Sequence, residues 1–106
     1  FLTYWYEQDA SIEPYYEIET NGTVVIGDDL FEQLHQINCS PKLANSGMTE
    51  KQRIVPDAIK RIMEHKNYQF KFVISTEDDV KELFRDFVEP FNIPLKNLCL
   101  INYSLF

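Results

Sequence analysis

A chain of 106 residues, 44% of them hydrophobic and 14% aromatic, has the length of one domain (residues 1–106) and enough apolar content for a core, which excludes a disordered segment. Its formal net charge of −7 argues against a nucleic-acid surface, because phosphate backbones call for clustered lysine and arginine. A small anion held by one or two placed cations stays compatible with that charge.

In chain order, Phe1 to Gln8 resembles the last turns of a helix, with Leu2, Trp5 and Tyr6 on one side. Tyr15 to Glu19 is predicted as the first strand, rich in aromatic and β-branched residues. Gln36 to Cys39 is a short second strand. A helix opens near Pro56, whose missing N–H is not needed in a first turn, and Ala58, Ile59, Ile62 and Met63 follow at helical spacing. His65 falls in its last turn, where a cation is mildly favoured. "QFKFVIS", Gln69 to Ser75, is the third strand. Thr76 then caps a second helix, with Asp79 closing a capping box. Val80, Leu83, Phe84 and Phe87 form its apolar stripe, and Pro90 should block its continuation. Leu98 to Ile101, "LCLI", is the fourth strand.

Strands alternating with helices imply parallel pairing through crossovers, hence an α/β fold with a parallel sheet of about four strands. The continuous apolar character of "KFVI" and "LCLI" predicts a sheet buried on both faces. Cys39 and Cys99 lie in apolar surroundings without a Cys-x-x-Cys pair or a Cys/His cluster, so they are expected to be buried reduced thiols rather than metal ligands. No apolar run is long enough for a membrane span and no signal peptide is evident, so a cytoplasmic location is expected.

In parallel α/β folds ligands bind at the carboxyl ends of the strands. Three polar clusters fall there: Glu19-Thr20-Asn21-Gly22, Ser40-Pro41-Lys42 and Ser75-Thr76. Each has a plain structural explanation. Asn21-Gly22 makes a turn, Ser40-Pro41 starts a loop, Lys42 is solvated, and Thr76 caps its helix. Together they suit one ligand. A carboxylate such as Glu19 accepts two hydrogen bonds from a vicinal diol, and Lys42 pairs with a carboxylate or phosphate. Nucleotides and S-adenosylmethionine both carry a ribose diol and an anionic group. With only three glycines there is no phosphate loop, and His35 and His65 belong to no nucleophile–histidine–carboxylate set.

"EIETNGT", then "INCSPKLANSG", then "FKFVIS" resembles, in order and spacing, the second half of 7-carboxy-7-deazaguanine synthase. The likeness runs from about Tyr15 to Leu100, and "SPKL" followed by "SG" is its most specific part. That family is a lyase of the radical S-adenosylmethionine class. It has a partial (β/α) barrel, of which this chain would be the C-terminal half. It uses a [4Fe-4S] cluster and Mg²⁺ to contract 6-carboxy-5,6,7,8-tetrahydropterin to 7-carboxy-7-deazaguanine, on the route to queuosine. The resemblance implies that Glu19, Asn21, Ser40, Pro41, Lys42 and Thr76 belong to an S-adenosylmethionine site.

The chain departs from the family in what it lacks. The Cys-x3-Cys-x2-Cys loop that holds the cluster is missing, as are the Gly-Gly-Glu-Pro turn and the residues for pterin and Mg²⁺. "INYSLF" stands where the family continues with Met-Pro. The expectation is a chain inactive by itself, with an open parallel edge at its first strand. A missing N-terminal half or a second copy would complete it. The alternatives are a non-catalytic α/β binding module and a radical enzyme of the activase type.

Overall fold

The computed structural model describes the backbone of residues 2–6 and the whole of residues 14–102. Five strands form one sheet in the order β1-β2-β3-β4-β5: β1 Leu2–Tyr6, β2 Tyr15–Thr20, β3 Gln36–Cys39, β4 Tyr68–Ile74 and β5 Leu98–Asn102. The last four run parallel, with Ile18 beside Ile37, Cys39 beside Phe70, and Phe72 beside Leu100. Helices intervene between these parallel strands, as an α/β chain requires.

The amino end differs from expectation. Residues 2–6 form a strand, not a helix, and β1 pairs antiparallel with β2, Thr3 opposite Ile18. Phe1, Glu7 and Gln8 of the expected helix lie outside the described residues. Local sequence does not separate the two outcomes, because Tyr4, Trp5 and Tyr6 suit strands as well as a helix face. The free hydrogen-bonding edge of β2 decides. That edge, expected to be open, is therefore covered by the chain itself.

Helix starts follow local chemistry. α1 (Asp28–Gln33) opens with two aspartates in its first turn. α2 (Glu50–Arg53) has a complete capping box between Thr49 and Gln52. α3 (Pro56–Met63) begins on its proline and buries Ala58, Ile59 and Ile62. α4 (Glu77–Leu83) has the expected box between Thr76 and Asp79. Pro90 does not end this last helix. A π turn over Phe84–Val88 leads into a further turn, α5 (Glu89–Phe91), which closes at Asn92 in the left-handed conformation. In the π turn the Glu89 N–H reaches back to the Phe84 carbonyl, and this wider spacing accommodates the ring of Pro90.

The core lies on one face of the sheet. Ile18, Ile37, Cys39, Phe70, Phe72 and Ile74 meet Ile59, Ile62, Leu83 and Phe87 there. Burying each phenylalanine contributes roughly 1.5–3 kcal/mol. The expectation of two buried faces does not hold among the described residues. Glu17, Glu19, Gln36, Asn38, Gln69, Lys71 and Val73 alternate with the core positions, and of these only Asn38 is buried. Glu19 and Val73 are exposed and the other four half-buried. Cys99 is also half-buried rather than buried, and both cysteines are free.

His65 lies just past α3, beyond its cap Glu64, rather than in the last turn. It is buried, its Nδ1 accepting from the Asn67 N–H at 3.0 Å and its Nε2 donating to the Leu34 carbonyl at 2.9 Å. Nδ1 also lies 3.1 Å from the Asn67 carbonyl, so the ring joins the end of α1 to the start of β4. Among the described residues no helix is long and apolar enough to cross a membrane.

Gly22 turns the chain after β2 with φ +78°. A Cβ there would lie 2.8 Å from Cys39 Sγ and 3.0 Å from Ile59 Cδ1. Gly22→Ala is expected to destabilise the fold by about 2–4 kcal/mol, combining left-handed strain with overpacking. Urea unfolding of the two proteins measures this.

Candidate functional site

The site grows from the ends of β2 and β3. Thr20 is buried, and its hydroxyl accepts from the Gly22 N–H at 3.1 Å. Asn21 Oδ1 accepts from the Thr23 N–H at 3.2 Å and from the Thr23 hydroxyl at 2.6 Å. These two side chains therefore build the turn. Glu19 is not needed for it and stands exposed on the sheet face away from the core.

Ser40 N–H donates to the Thr20 carbonyl at 2.8 Å, which extends the β2–β3 ladder one residue past β3. Pro41 is buried, Lys42 exposed and Leu43 buried, so the chain turns the Lys42 side chain outward between two apolar anchors. Glu19, Thr20, Asn21, Thr23, Val24, Ser40 and Lys42 line one hollow of about 460 Å³. It combines a carboxylate, an ammonium, hydroxyls and an amide with one apolar wall, Val24, which is 54% exposed. Among the described residues neither Glu19 nor Lys42 is in an ion pair.

Two residues expected at the site stand apart from this hollow. Pro41 is packed away, and Thr76 is not in its lining. Thr76 Oγ1 accepts from the Asp79 N–H at 3.2 Å, and Asp79 Oδ2 accepts from Ser75 N–H at 2.8 Å and Thr76 N–H at 3.2 Å. The Ser75 N–H, helped by Thr76 and the Asn45 side chain, holds the Asp79 carboxyl below the usual carboxylate range against the opposing effect of burial. The Thr76 hydroxyl thus serves as the acceptor that caps its helix.

Thr23 and Val24 were not expected at the site. Thr23 was legible as the partner an asparagine two residues back commonly takes in such turns. Val24 was not, because "TVVI" has strand composition, whereas Val24 and Val25 lie outside any strand and are both about half exposed.

A second cavity, at the amino ends of the strands, includes His35 and His65. Both rings already bond the backbone there, His35 Nδ1 accepting from the Tyr16 N–H at 3.0 Å.

The donor sets decide which groups fit. A [4Fe-4S] cluster takes thiolates, and the sequence has only two cysteines. Cys39 points into the core, where burial pushes its thiol far up, with Lys42 lowering it only slightly. Cys99 is on β5, with β4 between the two strands. The cluster does not fit this chain. Among the described residues no group of three histidine, cysteine or acidic side chains could hold Mg²⁺. The lining of the hollow offers a carboxylate acceptor in Glu19, a cation in Lys42 and an apolar side chain in Val24.

No protein-family model, no curated protein and no solved structure matches the chain.

Thr76→Ala is expected to cost about 1 kcal/mol of stability, the ordinary value of a lost cap, and to leave ligand affinity at the hollow unchanged. Thermal unfolding together with calorimetric titration checks both halves. In the native protein iodoacetamide is expected to label Cys99 and spare Cys39 until the chain unfolds, as mass spectrometry of the peptides would reveal.

Proposed function

We propose that the hollow between the ends of β2 and β3 binds the nucleoside of an adenosyl ligand, S-adenosylmethionine. In this reading the chain is the ligand-holding, C-terminal part of a radical enzyme of the 7-carboxy-7-deazaguanine synthase type. The observation that carries the reading is that Glu19 and Lys42, 23 positions apart in sequence, face one cavity with neither charge in an ion pair among the described residues. Glu19 accepts from the ribose hydroxyls, Val24 lies against the base, and Lys42 pairs with the carboxylate at the far end of the ligand. Ser40 and Asn21 border the space between.

Ring contraction of the tetrahydropterin needs an electron to cleave S-adenosylmethionine, supplied in that family by the cluster. This chain's two cysteines do not hold one, so its own part is to bind and orient. Catalysis belongs to an assembly in which another polypeptide segment brings the cluster.

A second reading is favoured by β1. That strand occupies the edge of β2 at which the rest of a barrel would continue. A self-contained α/β binding module, without catalysis, accounts for a closed edge directly.

Calorimetry with S-adenosylmethionine and with adenosine tests the site. Both are expected to bind. Glu19→Ala should weaken both by roughly 10–100-fold, the value of a charge-assisted hydrogen bond, and Lys42→Ala should weaken only the carboxylate-bearing ligand. A folded chain that gives no heat with either ligand would overturn the nucleoside reading and leave a scaffold.

A further inference from the structure

We propose that Glu82, on α4, is the positioning residue that sets Lys42 in the hollow, by gripping the loop that follows it. This rests on the nucleoside reading above for its functional meaning, though its structural claim can be tested apart from it.

Between β3 and α2 the chain has only one short helical turn, Ala44–Ser46. Residues this irregular hold a side chain in place only if something outside the loop fixes the backbone. Pro41 and Leu43 fix it from below by burial. Fixation from the side comes from α4. Glu82 Oε2 accepts the Ala44 N–H at 2.8 Å, two residues after Lys42. Asp79 Oδ2, one helical turn earlier, accepts from Asn45 Nδ2 at 3.3 Å. Residues three apart share a helix face, so the two carboxylates act as paired jaws. The Asp79 jaw is itself immobilised by the Ser75 and Thr76 N–H groups, which joins the grip to the carboxyl end of β4.

Arg53 offsets the charge of the Glu82 jaw, whose side chain is only 13% exposed. Its guanidinium is buried and lies 3.4 Å from Glu82 Oε2, the same oxygen that takes the Ala44 N–H. Among the described residues Arg53 Nε and Nη1 have no hydrogen-bond partner. As a contribution to stability such a pair is poor, since apolar side chains of similar size commonly do as well. What apolar side chains cannot supply is an acceptor fixed opposite the Ala44 amide. The arginine offsets the charge of that acceptor, a task that a neutral glutamine at position 82 does not need.

Two double variants separate anchoring from packing. E82Q/R53M removes the ion pair but keeps an acceptor for Ala44, and E82L/R53M removes both. Thermal unfolding confirms that each is folded. In amide hydrogen exchange, Ala44 is expected to keep its protection in E82Q/R53M and to lose about tenfold or more in E82L/R53M, the equivalent of one net hydrogen bond. In calorimetry, E82L/R53M should bind S-adenosylmethionine about tenfold more weakly while its affinity for adenosine stays within about twofold, and E82Q/R53M should match the wild type for both. Unchanged Ala44 protection in E82L/R53M overturns the proposal, as does an equal loss for both ligands. A wild-type chain that binds neither ligand sinks the nucleoside reading, while the exchange measurement still decides whether Glu82 holds the loop.

Discussion

At Gly22 the backbone presses so close to Cys39 and Ile59 that no side chain fits between them. That contact ties three elements at one point: the turn after β2, the end of β3, and α3. With the turn seated on the core, Thr20 and Asn21 can close it by their own side-chain bonds. Glu19, on the other face, is left without a structural task. A bulkier turn would stand off the sheet and fill the space now shared with Ser40 and Lys42. The hollow is thus a by-product of tight packing beneath it.

The one-sided core has a comparable effect. Every described core contact lies on the face that carries Ile18, Ile37, Phe70 and Phe72. The opposite face carries acids, amides and a lysine at the same strand positions. A parallel sheet covered by helices on one side only is what one wall of a barrel looks like. It is equally what a sheet with a polar outer surface looks like. β1 weighs toward the second picture because it caps the edge that a larger barrel would need.

Much of this was legible in the sequence because the signals were local. Pro56 and the Thr76–Asp79 box marked helix starts, and the apolar stripe from Val80 to Phe87 marked a buried face. β3 was bounded to the residue. The Thr49–Gln52 box that opens α2 is an equally local signal. The failures elsewhere have a different source. A strand at residues 2–6 depends on the free edge of β2, which no local pattern encodes. Thr76 carried two readings, helix cap and ligand group, because it follows a strand and precedes a helix; the cap is what its hydroxyl makes, and its absence from the lining of the hollow is a matter of packing. Glu82 and Arg53 were invisible as partners of the Lys42 loop, since their meeting depends on how α2 and α4 pack.

The π turn between Leu83 and Glu89 carries one residue more than an α-helical path would. Deleting any one residue from 84–88 would restore regular winding and set the Pro90 ring against the carbonyl one α turn before it, a clash of about 3 kcal/mol or more. A kink at that proline would pull Phe91 and Ile93 away from the core they now pack against, and the left-handed closure at Asn92 would lose its place. Chain length in this segment is therefore not free to drift. Related sequences should tolerate exchanges of side chain there far more readily than a gap in their alignment.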